Sequence, residues 1–182
     1  MKLSNLQKRL AESDPYQPAE DTFFLADHIE NEKGKTALDI GTGSGFLAKI
    51  LSSSFDLVVG TDININSLMQ QYVPIRNRIC CNAADAFSRK FDLIICNLPY
   101  LATDEIIDIA TDGGTEGFDI PSQIIKSALP CLNKPGKFIF VTSSLSNYQK
   151  LIGMVDSEGF RAKILARKKL FFEELILIQV TS

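Results

Sequence analysis

The sequence is poor in the residues that build metal and redox sites. It has one histidine, His28, and four cysteines, Cys80, Cys81, Cys96 and Cys131, none in a C-x-x-C pair. With no second histidine and no cysteine cluster, a metal site, zinc binding and a disulfide framework are all disfavoured. Three of the thiols fall in apolar, strand-like stretches, so buried thiols in a reducing compartment are expected. No apolar run approaches the ~20 residues that cross a bilayer, so no membrane association is expected. The N-terminal "MKLSNLQKRLAESD" has no apolar core of signal-peptide type, and a cytoplasmic setting follows as the default. Basic residues are not in excess: 19 Lys and Arg face 22 Asp and Glu, for a formal net charge of −3. That balance speaks against strong independent nucleic-acid binding, which normally shows a basic footprint. Repeats, low-complexity tracts and Gly/Ser linkers are also missing. The 182 residues are therefore expected to form a single domain, 1–182, of which 1–15 are an N-terminal extension.

What is present is an alternation of strand and helix. "TALDI" (36–40), "DLVVGTD" (56–62), "RICCNAA", "FDLIICN" and "GKFIFVTS" (136–143) read as five strands. Helices are expected after Gly45, near 66–72 with Asn64 or Asn66 as cap, over 120–132 with Pro121 in the first turn, and over 146–158. The end, "FRAKILARKKLFFEELILIQV", reads as two strands close enough to pair as a hairpin. The fold class is thus α/β: a doubly wound, Rossmann-like, mostly parallel seven-stranded sheet with an antiparallel C-terminal hairpin. Such sheets bind ligands beyond the carboxyl ends of their strands. Polar residues and glycines gather at four of these ends, "DIGTGSG", "GTDIN", "NAADAF" and "NLPY", which points to one composite site.

Gly41 and Gly43 lie in a strand-to-helix turn where glycine allows a tight bend and close ligand approach. A dinucleotide fingerprint wants Gly or Ala at 46, which is Phe46. Asp39, two residues before the first glycine, would repel a pyrophosphate and favour a cationic ligand such as S-adenosylmethionine. Asp62 ends the second strand, where an acid can accept from both ribose hydroxyls. Asp85 follows the third strand and can accept from an adenine amino group, with Ala86 and Phe87 supplying backbone and an apolar wall. The residues favour S-adenosylmethionine, with a dinucleotide as the alternative.

Asn97-Leu98-Pro99-Tyr100 would then lie beside the transferable methyl group. An amide or exocyclic amino nitrogen is a poor nucleophile because its lone pair is delocalised. A site assists by accepting both N–H groups, one on the Asn97 side-chain carbonyl and one on the Leu98 main-chain carbonyl. Pro99 stiffens the turn and Tyr100 offers a face for a planar group. Orientation supplies most of the rate in such a direct transfer. On these residues alone the acceptor is a protein amide or an RNA or DNA amino group. A non-catalytic scaffold is a third reading, disfavoured by the presence of Asp62 and Asn97.

"YQPAEDTFFLADHI" (16–29), "LDIGTGSG", "TDIN", "CNLPYL" and "DGGTEGFDI" occur in this order. Together they resemble the HemK-type protein-glutamine methyltransferases, above all the short archaeal and eukaryotic branch acting on class 1 translation termination (release) factors. The resemblance spans 16–180 and implies a class I S-adenosylmethionine-dependent methyltransferase fold. It implies that Tyr16, Pro18, Glu20 and Thr22 line the cofactor pocket together with Gly41, Asp62 and Asp85. Asn97 and the Leu98–Tyr100 turn would hold the glutamine of a Gly-Gly-Gln loop, and Gly113, Gly114 and Gly117 would border the substrate entrance. Adenine methyltransferases normally lack the P-A-E-D-T segment. The commoner family tetrapeptide is N-P-P-Y, so Leu98 is a departure; ribosomal RNA adenine dimethyltransferases carry N-L-P-Y but add a helical domain and a basic surface. Members of the short branch work with a small zinc-binding activator subunit, which implies a heterodimer, with the sheet edge near the third strand as the expected contact. Arg161, Lys163, Arg167, Lys168 and Lys169 read as a solvated strand face and turn, or as a contact for an RNA-bound partner.

Overall fold

A computed structural model describes residues 17–108 and 110–182. Tyr16 and the 1–15 extension lie outside the described residues. Helix α1 (Glu20–Ile29) leads into β1 (Gly34–Ile40), α2 (Phe46–Leu51), β2 (Phe55–Asp62), α3 (Ile65–Met69), β3 (Arg78–Cys80) and β4 (Phe91–Asn97). A short excursion, β5 (Leu101–Ala102) and β6 (Asp112–Gly114), precedes α4 (Asp119–Ala128), β7 (Leu132–Ser143), α5 (Tyr148–Ser157), β8 (Arg161–Lys169) and β9 (Glu174–Thr181). The main sheet runs β3-β2-β1-β4-β7-β9-β8, and β5 pairs with β6 apart from it. The pairs from β3 to β7 are parallel, whereas β9 is antiparallel to both β7 and β8. The seven-stranded sheet and its C-terminal hairpin are as the sequence reads. Strand order reverses between β1 and β4, and that is the switch point.

The central strands are apolar almost continuously because both faces are covered. Leu38, Ile40, Ile94, Cys96, Phe138 and Phe140 pack with Ile125 of α4 and Leu151 and Val155 of α5. Their alternate neighbours Ala37, Leu93, Ile95, Ile139 and Val141 pack with Phe24, Leu25 and Ile29 of α1 and Leu47 and Leu51 of α2. The register Asp39↔Gly60 and Asp39↔Ile95 puts Asp39, Asp62 and Asn97 on one face, beneath α1 and α2.

Several boundaries differ from the sequence reading, each for a local reason. The helix expected to 132 ends at Ala128, followed by a single 3₁₀ turn over Leu129–Cys131, because Pro130 cannot continue the hydrogen-bond ladder. The helix expected to 72 stops at Met69, since Gln71 and Val73 turn back to bind the glycine loop. Asn64 is its cap, accepting from the Asn66 N–H. Only Cys96 and Cys131 are buried; Cys80 is exposed and Cys81 half-buried, because β3 is a three-residue edge strand with an uncovered face. Ile65, Met69, Tyr72 and Ile79 lie exposed around that edge. Among the described residues no helix is long and apolar enough to cross a membrane.

Candidate active site

The turn after β1 is fastened by its own neighbourhood. Gly41, Gly43 and Gly45 take φ of 70°, 46° and 82°, the left-handed region that side chains avoid. At Gly45 a Cβ would also come 2.2 Å from the Val73 carbonyl oxygen, so this third glycine serves packing. At Gly41 an added Cβ meets nothing within 4 Å, which leaves the lip of the turn open to close approach. Phe46 packs edge-on against Phe23 with ring centroids 5.7 Å apart, occupying the position where a dinucleotide fingerprint needs a small residue.

Asp39 is buried beneath this turn. Its Oδ2 accepts from the Thr42 hydroxyl at 2.8 Å and the Ala48 N–H at 3.1 Å, tying strand to helix, while Oδ1 has no partner. Burial raises its pKa from 3.8 to about 7, with the Asp62 charge adding to the rise and the two hydrogen bonds opposing it. Asp62 accepts from the Gly43 N–H at 3.0 Å and the Asn64 N–H at 2.8 Å, and its pKa is likewise raised by burial. On the neighbouring strand β4, Cys96 has its thiol pushed well up by burial, with both carboxylates adding to the rise. It is therefore an inert core group.

Asp85 is exposed, with both oxygens engaged: Oδ1 accepts from the Ser127 hydroxyl of α4, and Oδ2 from Asn82 Nδ2 at 3.1 Å. Ala86 is exposed beside it, and Phe87 turns inward, edge-on to Phe91 at 5.1 Å. Phe87 thus serves the core more than a pocket wall. The preceding turn bends through Ala83, a non-glycine residue at φ 44°.

Across the switch point, the turn after β4 is fastened from a distance. Asn97 Nδ2 donates to Thr22 Oγ1 of α1 at 3.3 Å, and its Oδ1 is buried without a donor. The Leu98 side chain is buried among α4 and α5, its N–H donating to the Val141 carbonyl at 3.3 Å. Leucine here exchanges the rigidity of proline for a core anchor. Pro99 is buried; Tyr100 is half-buried, its hydroxyl 3.5 Å from Asp21 Oδ2. Gly113 and Gly117 press onto this turn: a Cβ at Gly113 would lie 2.7 Å from the Pro99 carbonyl oxygen, and one at Gly117 2.2 Å from that of Tyr100. Gly114 follows Gly113 in buried β6, at φ 77°. The glycine-rich loop is a clamp on the Asn-Leu-Pro-Tyr turn rather than a slack connection.

The fold therefore gathers Thr22, Asp39, Gly41, Gly43, Asp62 and Asn97 around one strand edge. Pro18 is half-buried just before α1, and Glu20 is exposed and paired with Lys168 of β8. Residues that sequence reasoning passed over are Asp21 and Gln71. Gln71 donates to the Gly43 carbonyl at 3.2 Å and accepts from the Ile75 N–H at 3.3 Å. Asp21, buried in the first turn of α1, accepts from both the N–H and the hydroxyl of Thr22. The placement of an acid inside an otherwise apolar helix face was the available signal.

The family described as Methyltransferase small domain matches residues 19–171. A candidate protein N5-glutamine methyltransferase of Methanocaldococcus jannaschii is 33% identical over 176 residues, covering 90% of this chain and 89% of the relative. The chain belongs to the HemK-type branch of this methyltransferase family. Methyltransferase HEMK2 of Homo sapiens is 27% identical, covering 95% of this chain and 92% of its own. Among solved structures, the E. cuniculi Mtq2–Trm112 complex, which methylates the eRF1 translation termination factor, superposes with a TM-score of 0.80 at 24% identity. It covers 93% of this methyltransferase and 99% of the matched chain, and it carries the same class I fold.

Proposed function

We propose that this methyltransferase uses S-adenosylmethionine to methylate the side-chain amide nitrogen of a glutamine, in the Gly-Gly-Gln loop of a class 1 termination factor. The observation that carries the reading is the Asn97 amide. Its nitrogen is held by Thr22 while its oxygen is buried without a donor, a cost of about 1–3 kcal/mol that an incoming N–H relieves. A primary amide brings two such N–H groups, and the Leu98 carbonyl is the second acceptor. With both N–H groups held, the nitrogen lone pair is directed toward the methyl carbon. When bound, S-adenosylmethionine supplies a methyl group on a positively charged sulfur and departs as a neutral thioether. The amide nitrogen sheds its extra proton to solvent after the new N–C bond forms.

Asp62 is the ribose acceptor, Gly41 and Gly43 admit the ligand to the backbone, and Asp39 lies under the cationic end with its unpartnered Oδ1. Asp85 and Ala86 flank the adenine, and Pro18 with Thr22 lines the entry from α1. The relatives support the chemistry: one is named for N5-glutamine methylation, and the Mtq2–Trm112 complex for methylation of eRF1. A small zinc-binding subunit of the Trm112 kind is the partner, docking at the β3 edge, where exposed Ile65, Met69, Tyr72 and Ile79 surround the outer edge of the last strand in the sheet. The free thiols suit a reducing cytoplasmic setting. A nucleic-acid acceptor is less well supported, because Arg167 and Lys168 of the basic strand are paired with Glu174 and Glu20.

The test is transfer of labelled methyl groups by the chain together with its Trm112-type subunit. Label should enter the termination factor and not its Gln→Ala variant or total RNA; incorporation into RNA alone overturns the reading. Asn97→Ala should lower kcat by roughly 10²–10³-fold with cofactor affinity nearly unchanged. An equal loss of cofactor affinity would contradict the assigned role.

A further inference from the structure

A side-chain amide is nearly symmetric in shape, so something must decide which end of Asn97 faces the substrate. We propose that Asp21 is the positioning residue that fixes this polarity, acting through Thr22, and that it thereby makes the site select an amide over a carboxylate. The inference rests on the glutamine reading above and extends it to a residue outside the acceptor turn.

Asp21 Oδ1 receives the Thr22 main-chain N–H at 2.6 Å. A backbone N–H can only donate, so that oxygen is held as an acceptor. The Thr22 hydroxyl lies 3.2 Å from the same oxygen and therefore points its hydrogen there. Its lone pairs are left facing Asn97, and only the NH₂ end of the amide can meet them, as the 3.3 Å contact from Nδ2 shows. The carbonyl end is consequently turned toward the acceptor site, where it is buried and without a donor. A reversed amide would need the Thr22 hydroxyl to abandon Asp21 and would leave an N–H facing the substrate. Asp21 also receives the Tyr100 hydroxyl at 3.5 Å, so one buried carboxylate spans both ends of the Asn-Leu-Pro-Tyr turn.

Substrate selection follows directly. An Asn97 carbonyl attracts the N–H of glutamine and repels the oxygens of glutamate. If the amide is free to reverse, its N–H accommodates a carboxylate.

The experiment compares Asp21→Ala, Asp21→Asn, Thr22→Val and the Asp21→Ala/Thr22→Val double variant, each in complex with the Trm112-type subunit. The termination factor is the substrate, and its Gln→Glu variant is a competitive inhibitor. Asp21→Ala and Thr22→Val should each lower kcat roughly 10- to 100-fold, and Asp21→Ala should leave cofactor affinity within about twofold. Asp21→Asn should restore most of the activity, because its carbonyl can take the Oδ1 position. The double variant should be no worse than Thr22→Val, since Asp21 acts through that hydroxyl. The Gln→Glu inhibitor should bind Asp21→Ala and Thr22→Val at least about fivefold more tightly than the unmodified enzyme, a gain that simple loss of structure does not produce. Multiplying losses in the double variant, or unchanged inhibition by the Gln→Glu protein, overturns the proposal. Should Asp21→Ala fail to fold, the Thr22→Val inhibition result decides. Failure of the unmodified complex to methylate any glutamine would instead overturn the functional reading itself.

Discussion

The turn after β1 and the turn after β4 face each other across the switch point, but they are held in opposite ways. The glycine turn is closed by near neighbours: Ala48 reaches Asp39 from 9 residues away, Asp62 reaches Gly43 from 19 and Gln71 from 28. The Asn-Leu-Pro-Tyr turn is held by Thr22 and Asp21, 75 and 79 residues upstream of their partners, and by a glycine clamp that returns from β6. The glycine turn is held by residues between 39 and 71, whereas the Asn-Leu-Pro-Tyr turn needs contacts from α1 and from β6 and the turn after it. The two turns thus differ in what it takes to disturb them.

Gly117→Ala should break the remote turn most strongly. The new Cβ would lie 2.2 Å from the Tyr100 carbonyl at a backbone φ of 62°, for a loss of about 3 kcal/mol or more in urea unfolding. Gly41→Ala, also at positive φ but with open space around it, should cost only about 1 kcal/mol while weakening cofactor binding. Equal destabilisation by the two would erase the distinction between the turns.

Asp39 sharpens the comparison on the local side. Its carboxyl titrates at about 7 when folded against an ordinary 3.8. The unfolded chain therefore ionises first, and the free protein loses stability as pH rises from about 4 to about 7. Asp39→Asn removes this drain, so between pH 4.5 and 7.5 the variant should gain on the order of 3 kcal/mol relative to the unmodified chain. Denaturation curves that stay parallel at the two pH values would contradict it. The smallest effect belongs to Lys168→Ala. Its exposed pairing with Glu20 links β8 to α1 close to the remote turn, yet should contribute less than about 0.5 kcal/mol and leave methyl transfer unchanged.

Much of this site was legible in the chain because its parts sit at strand ends. Asp39, Asp62 and Asn97 each close an apolar run, and alternating strands and helices must bring those ends to one edge. Position 85 was legible only as an acid after a weak strand; its ties to Asn82 and Ser127 depend on where α4 packs. The β3 edge was readable as a short strand, but the exposure of Cys80 and of the apolar residues around it follows from nothing packing on that face.

The sequence by itself determined the α/β alternation, the glycine turn, the composite edge and the family to which the chain belongs. Those are encoded in short spacings, where periodicity and turn chemistry act over a few residues. Tertiary structure alone decided which end of the Asn97 amide is unpartnered, why Asp39 holds its proton to about 7, and that Gly113 and Gly117 clamp the Asn-Leu-Pro-Tyr turn. Each of these depends on burial or on contacts made across the packed layers, and none is a property of a residue until those layers close around it.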